Sequence, residues 1–307
     1  MVHIPKLRED KVMKGLKSFL QYHILEPLKI LASDKRALVG LSILVFYILM
    51  ITVGRVLIPL DLTPHREKRY LGPSWEHPLG TDFAGRDILA QIIHGGRDVL
   101  PVAFLTGLVT VAIGTIIGII SGYVGGKLDL AITTFIDIFL TIPGFPLLMV
   151  VVVWLLQSGI PVNIFIIACV LSITAWAGLA RSVRAQVLSI REEAFIEAAI
   201  CLGLSRFHIV FNEILPNIMP YIAINFMLSS VSAIYSYTGL QALGLIPYEP
   251  GTWGAMICMA QAYVGTITGA GCWYVLAPAI TIIVLQVGLV FLSQGIDKIF
   301  NPRLRER

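Results

Sequence analysis

Residues 193–217 read EAFIEAAICLGLSRFHIVFNEILPN: charges, a central glycine and a closing Leu-Pro, set in a chain that is otherwise mostly apolar. Of its 307 residues, 56% are hydrophobic and 14% charged, where a soluble domain carries about 25% charged residues. The mean hydropathy of +0.82 points the same way, to lipid as the solvent. A membrane helix needs roughly 20 predominantly apolar residues. Six segments qualify: 37–54 (extendable to 60), 99–125, 134–156, 161–180, 218–245 and 273–296. The quoted stretch joins the fourth to the fifth. The expected fold is an all-α membrane protein of six transmembrane helices, divided into 1–60 (N-terminal segment and first helix), an outer loop 61–98, and a core 99–307 containing the loop 181–217.

Lysine and arginine set the orientation, because cytoplasmic loops carry their excess. With the N-terminus inside, the cytoplasmic segments hold the basic residues of the first 36 positions, Lys127, Arg181, Arg184, Arg191, Arg206, Lys298, Arg303, Arg305 and Arg307. The outside holds Arg55, Arg66, Lys68, Arg69, Arg86 and Arg97, balanced by acids in one long loop. Both termini are therefore expected in the cytoplasm, together with 193–217. The net charge of +4 follows topology and gives no reason to expect nucleic acid. The polar, basic N-terminus lacks the apolar core and cleavage site of a signal peptide. Cys169, Cys201, Cys258 and Cys272 have no CxxC spacing, so no metal site is expected; Cys258 and Cys272 both fall outside, where a bridge or two free thiols are both chemically permitted.

Within the quoted stretch, Ala194, Ala198 and Leu202 recur at helical spacing, with Phe195 and Ala199 alongside, so 189–202 reads as a helix. Gly203 is a natural left-handed stop. Ser205 can cap a second short helix through Ile214, and Pro216 precedes the fifth span. A helix lying on the membrane surface would need a basic polar face; here Arg181, Arg184, Arg191 and Arg206 are matched by Glu192, Glu193, Glu197 and Glu213. The pattern reads instead as a helix–turn–helix on the cytoplasmic rim, open to a protein partner.

The EAA at 197–199, Gly203 and ILPN at 214–217 resemble the cytoplasmic loop of ABC-importer permeases. HPLGTDFAGRDILAQIIHGGRDVL (77–100), IPYEPGTWG (246–254) and FNPRLRER (300–307) resemble the dipeptide/oligopeptide branch of that binding-protein-dependent family. The resemblance implies a non-catalytic permease subunit in the plasma membrane, with a coupling helix between helices 4 and 5 that seats on an ATPase. Its partners would be a second homologous permease, two cytoplasmic ATPase subunits that bind ATP and Mg, and an extracytoplasmic substrate-binding protein. Glu197, Ala198, Ala199, Gly203, Leu204 and Ser205 become the expected docking surface. The cargo implied is an oligopeptide, an oligosaccharide or a metal complex.

The family's usual helix-five glutamate falls here on Tyr237. Ser229, Ser232, Tyr235, Ser236 and Tyr237 then offer hydroxyls and aromatic faces for a path that suits neutral polar ligands, or bond neighbouring helices. Asp129 and Asp137 match the branch, but the basic residue often found between them is Thr134, which weakens the expectation of an Asp137–arginine contact. Glycines at 114, 118, 122 and 126 form a ridge for close helix packing. The run GYVGGK (122–127) lacks the first glycine and the closing Ser or Thr of a phosphate loop, so ATP hydrolysis by this chain is not expected. An ion-coupled secondary transporter would need intramembrane ionisable groups, for which Asp137 alone qualifies. An intramembrane enzyme has no HExxH or GxSxG to rest on, and the six histidines fall outside the spans.

Overall fold

The computed structural model describes residues 33–246, 251–263 and 271–300. Residues 1–32, residues 247–250 of the 246–254 run and the ending from 301 lie outside these. By length and composition, five described helices can cross a membrane, or six if one bent pair is counted as a single span.

Helix α1 (Lys35–Leu57) is capped by Asp34, whose carboxylate accepts the N–H groups of Arg36 and Ala37 at 2.8 and 3.1 Å. It lies antiparallel on α9 (Cys272–Phe300). The two backbones touch at paired glycines: a Cβ on Gly40 would stand 2.5 Å from the Gly288 carbonyl. The Tyr47 hydroxyl donates to the Thr281 carbonyl at 2.7 Å, and Asp34 closes the pair through an ion pair with Lys298. That contact, with the cap, holds the Asp34 carboxyl below the usual carboxylate range, and it brings the first and last helices together at one end of the bundle.

Helix α2 (Ile88–Val124) starts well before residue 99, because Asp87 caps it by accepting the Ala90 N–H at 2.8 Å. The GTDFAGRD run ahead of it is an ordered scaffold, not a solvated turn. Asp82 is fully buried and accepts from the backbones of Ala84 and Arg86 (2.8 and 2.9 Å) and from Gln91 Nε2 (3.1 Å). Helix α8 (Trp253–Tyr263) locks onto this end of α2. The Trp253 indole N–H donates to the Ile92 carbonyl at 2.9 Å, and its ring fills the space left by Gly95 and Gly96.

Gly114, Gly118 and Gly122 of α2 meet Leu179, Val183 and Val187 of α5 (Ile164–Arg191). The expected intramolecular role of this ridge holds, except that nothing stands within 4 Å of a Cβ on Gly126. The contacts advance together along both helices, so α2 and α5 run parallel, and the chain between them must return to the opposite end. It returns as α3 (Gly126–Thr141) and α4 (Gly144–Gln157), bent by 85° at Ile142–Pro143. The expected continuous span 134–156 is therefore corrected to a broken one. The proline ring disfavours the helical region for the residue before it, and Ile142 is extended at φ −81°, ψ 126°.

The loop after α5 also departs from expectation. The helix expected over 189–202 is broken at Glu192–Glu193, and a separate α6 (Ala194–Cys201) follows. The expected short helix from Ser205 and the fifth span are one element, α7 (Arg206–Ala242). A π turn at Ile209–Ile214 precedes Pro216; a widened turn absorbs the hydrogen bond that proline cannot donate.

Gly118→Leu should force α2 off α5, because even a Cβ there would stand 2.7 Å from the Ala180 carbonyl. A loss of roughly 1–3 kcal/mol would lower the melting temperature of the detergent-solubilised chain; an unchanged melt would refute the ridge contact. Asn caps as well as Asp, so Asp34→Asn should remove only the charge pair with Lys298. Since the folded pKa of Asp34 is depressed, its stabilisation is present at neutral pH and is lost as pH falls through that lowered pKa. The melting-temperature gap between wild type and Asp34→Asn should close on acidification; a gap independent of pH would contradict this.

Candidate functional site

Helix α6 is short, and its fixed attitude comes from burial on one face. Ile196 and Ala199 sink into a cluster with Val183 and Val187 of α5 and Ile209, Ile214 and Ile218 of α7. Its end is a Schellman turn: Leu204 N–H reaches the Ala199 carbonyl at 3.2 Å and Gly203 N–H the Ile200 carbonyl at 2.9 Å. Gly203 adopts φ +74°, the left-handed conformation expected of it. Ser205 caps α7 by accepting the His208 N–H at 3.2 Å. Glu197, Ala198, Gly203, Leu204 and Ser205 face outward, but Ala199 turns into the bundle. Its small side chain lets α6 approach α5 and α7, so the expectation that it lies on the outer surface is corrected. Beside the outward residues stand Phe195, Leu202 and Phe207, the last two 78% exposed. Sequence reading assigned them to no surface, although large apolar side chains in a polar loop are a legible signal.

Helix α5 runs straight from the core into this segment and ties it to α3. Arg184 grips Asp129 with two contacts, Nε to Oδ1 and Nη2 to Oδ2, each 2.6 Å. Ser121 and Thr133 also donate to Asp129. Arg181 pairs with Asp137, so the arginine contact that Thr134 made doubtful is supplied from α5. Arg191 Nη1 donates to the Tyr123 carbonyl at 3.2 Å, holding the end of α2.

The expected path residues separate. Ser229, Ser232 and Ser236, on one face of α7, line a cleft of about 250 Å³ with Thr106 of α2, Thr174 of α5, and Gly144 and Phe145 at the start of α4. Tyr235 points away, 61% exposed, and Tyr237 is 4% exposed; it borders a different cavity of about 530 Å³ with Arg97, Asn163 and Gln241. The hydroxyls of these serines are visible in the sequence, but only the bend brings Gly144 to them. The four cysteines, Cys258 and Cys272 included, are free thiols.

Residues 114–306 match the family model described as binding-protein-dependent transport system inner membrane component. The oligopeptide transport system permease protein OppC of Haemophilus influenzae is 34% identical over 89% of this chain and 86% of its own length. The dipeptide transport system permease protein DppC of Bacillus subtilis is 32% identical over 90% and 84%. Among solved structures, the inward-facing MetNI methionine ABC transporter shares the fold, with a TM-score of 0.54 at 18% identity over 67% of this chain and 96% of that one.

Arg184→Ala should cost about 2 kcal/mol, discounted for partial exposure from the roughly 3–5 kcal/mol of breaking a fully buried pair. Arg184→Lys should recover only part of it, since an ammonium cannot make the two-pronged contact. Thermal melts of both variants check this; equal stability of all three proteins would show that the pair contributes nothing.

Proposed function

We propose that this chain, which belongs to the family of binding-protein-dependent transport system inner membrane components, is the permease subunit of an ATP-driven importer of peptides. It is a multi-pass protein of the cell membrane. An external binding protein would deliver cargo to a path between this subunit and a second, homologous permease. Two cytoplasmic ATPase subunits, which bind ATP and Mg, would seat on α6. The peptide assignment draws on the two permease relatives; an oligosaccharide is the second reading, favoured by the hydroxyl-lined cleft.

One observation carries the mechanism: α6 is exposed on one face and bolted to the bundle on the other. Glu197, Ala198 and Leu202 are free to meet a partner, while Ile196 and Ala199 are packed against α5 and α7. Dense apolar packing transmits displacement instead of absorbing it. A push on α6 would therefore move α5 and α7 as one body. Arg184–Asp129 and Arg181–Asp137 would carry α3 with them, and the break at Ile142–Pro143 would let α4 respond differently from α3. The cleft at that break would then open to alternate sides as the ATPases close and part. The ion-coupled carrier is less well supported, because Asp137, the ionisable group it would rely on, is engaged by Arg181 of the same chain.

The test is co-purification of the tagged chain from membranes in mild detergent, followed by uptake measurements in proteoliposomes with radiolabelled short peptides and oligosaccharides. An associated ATPase and a second permease are expected, with ATP-dependent peptide uptake. Gly203→Val places a β-branched residue at φ +74°, a backbone penalty of roughly 1–2 kcal/mol. With no steric obstacle within 4 Å, assembly should survive while the turn beside α6 is distorted. Uptake should fall by about tenfold with ATP hydrolysis retained. A wild-type uptake rate in this variant would remove α6 from the mechanism; a chain without any associated ATPase would favour the carrier.

A further inference from the structure

The cleft beside the α3–α4 break gathers hydroxyl side chains from three helices. Serines and threonines in the apolar helices mostly return their hydroxyls to a carbonyl one turn back, as Ser172, Ser230, Thr238 and Thr281 do here at 2.6–2.9 Å. Ser229, Ser232 and Ser236 have no such bond among the described residues. Thr106 of α2 lines the same cleft, is 2% exposed, and its hydroxyl, like those of Thr110 and Thr115 further along α2, is buried without a partner among the described residues. An unpartnered hydroxyl in such a place costs free energy unless something fills the site.

The first turn of α4 meets the same cleft. Its cap position is Pro143, which contributes no side-chain hydrogen bond, and Gly144 and Phe145 both line the cavity. The N–H groups of Gly144 and Phe145 are among those that a helix leaves unbonded at its N-terminus, and no acceptor meets them among the described residues. Pro146 has no N–H, and Leu147 N–H is already given to the Pro143 carbonyl at 3.2 Å. Backbone donors at the positive end of a helix dipole favour an anion. Donors thus converge from α2, α4 and α7, and no carboxylate of this chain is among the lining residues.

We propose that this cleft is a carboxylate subsite, which receives the C-terminal carboxylate of a short peptide as it passes, held by the Gly144 and Phe145 N–H groups and the Thr106 and α7 serine hydroxyls. The proposal rests on the peptide reading above and adds polarity to it: the peptide is read by its C-terminal end at the break. Hydrogen bonds without a full positive charge suit a way-station, where cargo must be held and then released. Of the buried threonine hydroxyls of α2 that have no partner among the described residues, Thr106 is the one that lines this cleft.

The test uses the complete transporter in proteoliposomes, with one labelled tripeptide offered either as the free acid or as its C-terminal amide. The acid-to-amide uptake ratio is measured for wild type and for Thr106→Val, both with the same binding protein, so that protein's own preference cancels. Thr106→Val should lower the ratio by about tenfold, the scale of one hydrogen bond to a charged group, with amide uptake unchanged. Thr106→Ser, which keeps the hydroxyl, should restore the ratio and separates recognition from loss of packing. A ratio that is the same in wild type, Thr106→Val and a Ser232→Ala/Ser236→Ala variant would overturn the subsite while leaving peptide transport standing. Uptake of neither form by the wild-type complex would overturn the peptide reading and the subsite together.

Discussion

The backbones of α2 and α5 touch along a ridge of glycines, and the rest of the bundle follows from that contact. In lipid, apolar surface gives no advantage to helix association, so close packing must supply it. Gly114, Gly118 and Gly122 let α2 settle into the groove between Leu179, Val183 and Val187. Two parallel helices so tightly joined require the intervening chain to cross back, and α3 and α4 do so. The same closeness brings Arg184 and Arg191 of α5 within reach of Asp129 of α3 and the carbonyl of Tyr123 at the end of α2. One steric property of glycine therefore sets the topology and the route by which α6 is connected to the membrane helices.

Polar groups explain where this architecture departs from a plain bundle. Inside a membrane every polar group must find a partner within the protein or line a cavity. Asp129 is surrounded by donors from three elements, and ahead of α2, outside the spans, the buried Asp82 is met by backbone N–H groups and Gln91. Ion pairs and capped turns make these regions stiff. The break at Ile142–Pro143 is the opposite case, where an interrupted helix and unbonded hydroxyls share a cleft. Rigid connection on one side and an incomplete site on the other suit a protein whose helices move cargo.

Much of this was legible along the chain. Apolar runs located the membrane helices, because burial in lipid demands an uninterrupted stretch, and basic residues marked one set of loops. Gly203 declared its left-handed turn, since few other residues enter that region at low cost. The glycines at spacing four announced a close contact. Pro143 carried the signal for the broken span, but within an otherwise apolar run 134–156 hydropathy outweighed it. The π turn before Pro216 was invisible, since composition does not distinguish a widened turn from a regular one.

Residue type and period alone fix the solvent, the helical class and the existence of a polar segment between two spans. Packing between helices settles which face of α6 is free, that Ala199 points inward, and that Arg181 and Arg184 answer the acids of α3. It alone places Thr106, Gly144 and the α7 serines around one cleft, far apart as they are in the chain. Those outcomes depend on which helices lie side by side and how far each is rotated. Rotation is fixed by the fit of glycine against valine and leucine at the contacts, a property of pairs of helices that no single segment contains.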